Sequence, residues 1–446
     1  MVEAKTVHNG APVDWNSLIR DVTNGTWKNP DTDSAVSVPF RHIDINNNMA
    51  ENANTLLNTH MPSEKYGIVC DAATADIMGL KIAKSLGSKA ELIVLDHPHA
   101  DEMQIDNLRK VTANCTSLVA VGSGTINDLC KYATHLDGRP YSVFGTAPSM
   151  NGYTSSTASI TLKSGLKTTK EAHAAKGVFI DIGVSAEAPQ YLIGAGLGDS
   201  LCRPTAHVDW YFSHMMLGTS YATAPYLLQE DDEAELLLRT EDLGRRDYNA
   251  IGYLQRVLTL GGLGIAVVGT SHPGSMGEHQ ISHWIDSFAG NCHPGTVHGQ
   301  QVGVASVTMA RLQELILSQS EAPRIRAYQP DEAAIRARYP AAAVENCLKV
   351  SRSKIMSQAE LDTFNTKLEE IWPTFRKKLK AMMIPADEMA AHLRVAKGGA
   401  TYDEIGLDRD LYVEAVLHCR EMRDRYSMLD LADDMGILND FIEESI

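Results

Sequence analysis

Along the first 187 residues, short apolar runs alternate with stretches of helical periodicity. The β-rich runs are Phe40 to Ile45, Tyr66 to Cys70, Leu92 to Leu95, Leu118 to Val121 and Tyr141 to Phe144. Between the second and third, Ala72 to Leu86 reads as helix and stops at Gly87, a residue free to turn the chain out of a helix. Strands apolar on both faces that alternate with helices predict a parallel sheet of βαβ units, with Ser159 to Leu162 and Gly177 to Ile182 completing it. From about Ala188 the periodicity turns helical. The clearest helix follows Ser357, where Glu360 completes a capping box and Leu361, Phe364, Leu368, Ile371, Phe375 and Leu379 recur on one face. The pattern predicts a Rossmann-like α/β dinucleotide-binding domain over residues 1–187, opened by a loose polar lead-in to about residue 37. An all-helical domain over 188–446 follows, with the site in the cleft between the two.

Charge and cysteine usage narrow the function classes. The 446 residues carry 40 Lys and Arg against 56 Asp and Glu, a net charge of −16 with histidine neutral. With no basic block, this excludes nucleic acid and an anionic membrane surface as partners. Seven scattered cysteines without a CxxC pair suggest neither a disulfide scaffold nor a zinc ribbon. The opening MVEAKTVHNGAPVDW lacks the build of a signal peptide, and no run approaches the ~18 apolar residues of a membrane span. A reduced, soluble, cytoplasmic protein is expected.

Three loops carry candidate coenzyme chemistry. Gly122, Ser123, Gly124 and Thr125 follow an apolar strand and open a helix that contains Asp128. Glycine lets backbone approach a pyrophosphate, and the helix N-terminus offers free N–H groups. Asn127 stands where a full dinucleotide fingerprint has its third glycine, so for this stretch alone an ordinary tight turn is the better reading. Asp71 closes the strand from Tyr66, a position suited either to ribose hydroxyls or to capping the next helix. The small polar loop from Thr146 through Ser149 to Asn151 follows a third strand and could line a nicotinamide.

A second constellation suggests a metal. His279 and His283 are four apart and share a helical face, and His298 opens the next candidate helix. Asp199 sits in Gly194-Ala-Gly196-Leu-Gly198-Asp199, read here as a glycine-rich helix start. One carboxylate and two imidazoles suit a divalent ion, although the i,i+4 spacing taken alone slightly favours a satisfied histidine pair on the surface.

The order of GSGTINDLCKY, TAPSMNGYTS, GAGLGDSL, GEHQISHWID and VHGQQVGV resembles the polyol and iron-containing alcohol dehydrogenase superfamily, which includes 3-dehydroquinate synthase. GTWKNPDTD and REMRDRYSMLDLADDMGIL resemble its bacterial glycerol-1-phosphate branch. The resemblance implies Asp199, His279 and His298 as metal ligands and His283 as a residue lining the site and assisting proton transfer. It also implies Gly122, Gly124, Thr125 and Asp128 as the coenzyme loop, with Thr146 and Ser149 beside the nicotinamide. The implied cofactors are NAD, or NADP, and one divalent ion, zinc foremost and nickel or iron in some branches. The implied reaction interconverts dihydroxyacetone phosphate and sn-glycerol 1-phosphate or a close polyol phosphate, in a homodimer or larger homo-oligomer. An unphosphorylated polyol dehydrogenase, a cyclase like dehydroquinate synthase and a non-catalytic binding protein are the alternatives. Asn151 stands where the branch has Asp, and His272 where it has Arg. Arg203, Lys163, Lys167 and Lys170 are the candidate partners for a substrate phosphate.

Overall fold

The computed structural model describes residues 13–446; residues 1–12, which hold most of the opening read above, lie outside it. Six strands form one parallel sheet. They are β1 (Ile43–Asn46), β2 (Tyr66–Asp71), β3 (Ala90–Leu95), β4 (Ser117–Gly122), β5 (Tyr141–Gly145) and, after an intervening hairpin, the strand Val178–Asp181. The hairpin pairs β6 (Thr157–Thr161) antiparallel with β7 (Lys167–Glu171), and Val178–Asp181 is β8. The sheet order is β1-β8-β5-β4-β2-β3. The order in which strands are added therefore reverses between β2 and β4, and the carboxyl ends of those two parallel strands flank the crevice where doubly wound sheets bind ligands.

The four inner strands are buried on both faces, whereas the edge strands β1 and β3 are part-exposed and carry Asp44, Asn46 and Glu91. Val69, Leu118, Ala120, Val143 and Ile180 join one core, whereas Ile68, Cys70, Val119, Val121, Phe144 and Phe179 join the other. Two expectations change here. The run from Ser159 leaves the sheet and forms the separate hairpin, because β7 supplies a polar antiparallel partner. The lead-in is also anchored rather than loose: a helix spans Ser17–Thr23, and Trp15, Ile19 and Val22 are buried, with Trp15 edge-on to Tyr253.

After β8 the described elements are helical. Those that build the site are α2 (Gln190–Leu217), α3 (Tyr248–Val268), α4 (Gly277–Phe288) and α5 (His298–Ser318), while α1 (Gly124–Asp137) follows β4. The helix after Ser357 spans Gln358–Lys380 and has the expected capping box, and it buries Leu361, Phe364, Leu368, Phe375 and Leu379. Its Ile371 is only partly buried, and Trp372 fills that position in the core. Contrary to the sequence reading, α3 is long and apolar enough to cross a bilayer by length and composition; 72% of its apolar window is buried inside the fold. All seven cysteines are free, and only Cys292 is exposed.

Candidate active site

Asp199 lies ten residues into α2, not at a helix start, and is 3% exposed. Its Oδ1 is 3.9 Å from Nε2 of His279 on α4 and 3.9 Å from Nε2 of His298 at the start of α5. These gaps are too long for hydrogen bonds. They fall inside the ~4.2 Å that separates two ligands on opposite sides of one ion with arms of 2.0–2.1 Å. Asp199 Oδ2 accepts the backbone N–H of Asn151 at 2.9 Å.

Both imidazoles are held through their other nitrogen. His279 Nδ1 is 3.0 Å from Glu278 Oε1, which also accepts the Met276 N–H at 2.7 Å. His298 Nδ1 is 3.1 Å from Ser282 Oγ, whose hydroxyl donates to Gln301 Oε1 at 2.8 Å. With Nδ1–H donating to these acceptors, both Nε2 lone pairs face Asp199, the arrangement that orients metal-ligating histidines. Burial raises the Asp199 carboxyl above its ordinary value, opposed by His279 and the Asn151 amide. Burial and His279 together push His298 down to about 3, so at neutral pH it is the uncharged, ligating form. The residues fit a divalent ion.

Glu278 carries no motif of its own, and sequence reasoning missed it. It is fully buried, and its Oε2 has no hydrogen-bond partner among the described residues. The available signal was an acid directly before the first histidine of an i,i+4 pair. Glu278→Gln keeps the shape but removes the charge that supports His279, and metal affinity is expected to fall about 10- to 100-fold. Competition against a chelator measures this; unchanged affinity would reduce Glu278 to packing.

Glycines bring these helices together. A Cβ on Gly198 would overlap the Gly299 carbonyl oxygen and lie 3.0 Å from Gly303 Cα, so α2 and α5 cross in backbone contact beside Asp199 and His298. The loop from Thr146 to Thr154 rests on the same kind of surface. Pro148 O fills the space beside Gly196, Ser149 O lies 3.0 Å from a Cβ placed on Gly299, and Asn151 O lies 2.8 Å from one on Gly262 of α3.

That loop joins the two candidate sites. At one end the Thr146 N–H donates to Gly122 O at 3.2 Å, and at the other Asn151 holds Asp199. Gly122 ends β4, and Ser123, Gly124 and Thr125 are part-exposed at the N-terminus of α1. Across the crevice, Asp71 ends β2. Its Oδ1 caps the following turn through Thr74 N–H at 2.8 Å and Thr74 Oγ at 2.9 Å, while Oδ2 makes no hydrogen bond among the described residues. Asp128 braces α1 against β6, accepting from Ser159 N–H at 3.0 Å and from the buried Lys131 at 3.2 Å. Thr146 and Ser149 are buried in the joining loop.

His283 stands one turn beyond His279, with its ring centre 5.9 Å from that of His279 and 5.7 Å from that of His298. It makes no hydrogen bond among the described residues, and burial drives its pKa well below the ordinary value. The proposed phosphate partners fare differently. Lys167 is paired with Asp286 at 2.7 Å, Arg203 with Glu233, and the exposed Lys163 with Asp106 at 3.7 Å.

Residues 44–189 match the family described as iron-containing alcohol dehydrogenase. The glycerol-1-phosphate dehydrogenase [NAD(P)+] of Bacillus subtilis (strain 168) is 29% identical over 380 residues, covering 82% of this chain and 84% of that protein. The chain is thus similar to iron-containing alcohol dehydrogenases over its sheet and to glycerol-1-phosphate dehydrogenases over most of its length. An archaeal halo-thermophilic alcohol dehydrogenase from a Red Sea brine pool superposes with a TM-score of 0.61 at 13% identity, covering 92% of this chain and 98% of that one. A probable glycerol dehydrogenase from Sinorhizobium meliloti 1021 gives 0.59 at 14%, covering 91% and 98%. At such identities the superfamily's solved members speak to fold alone.

Proposed function

We propose that this chain is an oxidoreductase acting on CH–OH groups that uses NAD(P) and a divalent metal to interconvert dihydroxyacetone phosphate and sn-glycerol 1-phosphate. Relatives carrying that activity in their names match more than four-fifths of both chains. The observation that carries the reading is the convergence of two imidazole Nε2 atoms on one oxygen of Asp199, at the end of a loop that starts on the dinucleotide turn. From Thr146 to Asn151 the chain spans at most ~18 Å. A coenzyme seated at Gly124 therefore reaches the Asp199 cluster with its reactive ring.

Asp199, His279 and His298 hold the ion, zinc being the first candidate for one carboxylate and two imidazoles. Bound there, a divalent ion polarises the substrate carbonyl or lowers the pKa of the alcohol, and NAD(P)H supplies the hydride. The N–H groups from Ser123 to Thr125 receive the coenzyme pyrophosphate. The free Oδ2 of Asp71 accepts from a ribose hydroxyl and repels a 2′-phosphate, which favours NAD. Asn151 lines the cleft beside Asp199, and its amide orients a substrate hydroxyl but takes no proton. A ring nitrogen of His283, free of protein partners, exchanges the proton with water.

Purified, metal-loaded protein is expected to oxidise NADH with dihydroxyacetone phosphate far faster than with dihydroxyacetone. Equal or better use of the unphosphorylated ketone would replace this reading with a glycerol-type dehydrogenase, and no net NADH consumption with either would replace it with a cyclase.

A further inference from the structure

The segment after the 3-10 turn Cys419–Glu421 carries Arg423 and Arg425, and it packs against the loop that leads into α4. Arg423 Nη1 donates to Ser275 Oγ at 2.9 Å; Arg425 Nη2 donates to Ser271 Oγ at 2.7 Å, and its Nη1 to the Ser275 carbonyl. Gln280 returns a hydrogen bond to Arg425 O at 3.1 Å. Asp209 pins the same join by accepting the Gly277 N–H at 3.2 Å and the Met428 N–H at 3.1 Å. The loop therefore presents two guanidiniums directly beside the helix that carries His279 and His283.

Both arginines are half-buried, and among the described residues neither has a carboxylate at ion-pair distance. The acids whose charge reaches them are Glu278 and the exposed Asp424. Ser275, which holds Arg423, directly follows Gly274, and Gly274 lines the same cleft as Asn151 and Asp199. Asp199 and Glu278 balance a divalent ion, and the exposed Asp424 offsets one guanidinium, so one positive charge beside α4 is left over in a protein of net charge −16. A part-buried cation without a counter-charge is costly. A phosphate monoester, with about −1.5 to −2 charges at pH 7, supplies the missing counter-charge. Arg423 spends one of its five N–H donors on Ser275 in the described structure, leaving the fork that suits phosphate.

We propose that Arg423, seated by Ser275 and backed by Arg425, is the residue that receives the substrate phosphate. This rests on the dehydrogenase reading above and sets its preference for phosphorylated ketones.

The test compares wild type with Arg423→Gln and Arg423→Lys, each metal-loaded, with metal content and thermal midpoint checked. Arg423→Gln is expected to cut the ratio of kcat/KM for dihydroxyacetone phosphate over dihydroxyacetone by about 10- to 100-fold, mainly through KM, and Arg423→Lys to recover part of it. Calorimetric titration with inorganic phosphate is expected to show binding to wild type that weakens in Arg423→Gln. If wild type prefers the phosphorylated ketone and Arg423→Gln keeps that preference, the Arg423 assignment is overturned while the activity stands. If wild type has no preference yet binds inorganic phosphate through Arg423, the residue holds phosphate but its role in substrate choice falls together with the substrate reading. Phosphate binding that ignores Arg423 overturns the assignment in either case.

Discussion

Asp199→Asn is expected to lower turnover by about 1000-fold or more and to strip the protein of its ion. Lewis-acid stabilisation of developing charge contributes several kcal/mol, and each ~1.4 kcal/mol is tenfold in rate. The substitution is close to isosteric, and the new amide oxygen still accepts the Asn151 N–H, so the loop keeps its seat. Stability separates the roles further. In wild type without metal, a buried carboxylate faces two imidazoles without a hydrogen bond to either. Asparagine removes that buried charge, so the metal-free variant is expected to melt no lower than metal-free wild type. Added zinc raises the melting temperature of wild type, since an ion at 1000 times its dissociation constant adds ~4 kcal/mol. The variant is expected to show no such rise. Elemental analysis and melting curves with and without chelator check both points; a variant that retains stoichiometric metal and normal turnover would remove Asp199 from the site.

How much of this was legible in the sequence depended on the range of the interaction. The inner sheet strands could be read because each is apolar on both faces, and the helix after Ser357 because its stripe and cap are local. The helix from Ala72 ended at Gly87 as expected, though a π-helical turn over Ala75–Gly79 interrupts it where Gly79 packs against Cys70. What stayed hidden was set by contacts far along the chain. Trp15 earns its place only through α3, and β6 left the sheet because of a partner ten residues on. The glycines of Gly194 to Gly198 looked like a helix start; Gly194 instead packs on Gly398, Gly196 on the Pro148 carbonyl and Gly198 on α5, a hundred residues later. The histidine and aspartate positions were visible as residue types; Glu278 and Ser282, which aim the imidazoles, were visible only once the helices were in place.

The helix crossing yields a second large effect, with a sign that local propensity alone predicts wrongly. Alanine in place of glycine inside a helix is ordinarily favourable by ~0.5–1 kcal/mol. Gly198→Ala reverses this. Its methyl group would overlap the Gly299 carbonyl oxygen, a backbone atom that cannot swing aside as a side chain can. Overpacking of this kind costs ~1–3 kcal/mol, and relief requires α2 and α5 to separate. Asp199 and His298 each adjoin one of the two glycines, so separation widens the 3.9 Å gap between them directly. A displacement near 1 Å costs about 100-fold in rate, and metal affinity is expected to fall with it. Gly261→Ala supplies the contrast, since its Cβ would meet only the end of the flexible Gln229 side chain at 3.6 Å. That variant is expected to be as stable as wild type or slightly more so. Denaturant titration of both metal-free variants tests the argument, and equal stability of the two would mean that the crossing yields cheaply and that the glycines do not set the geometry of the site.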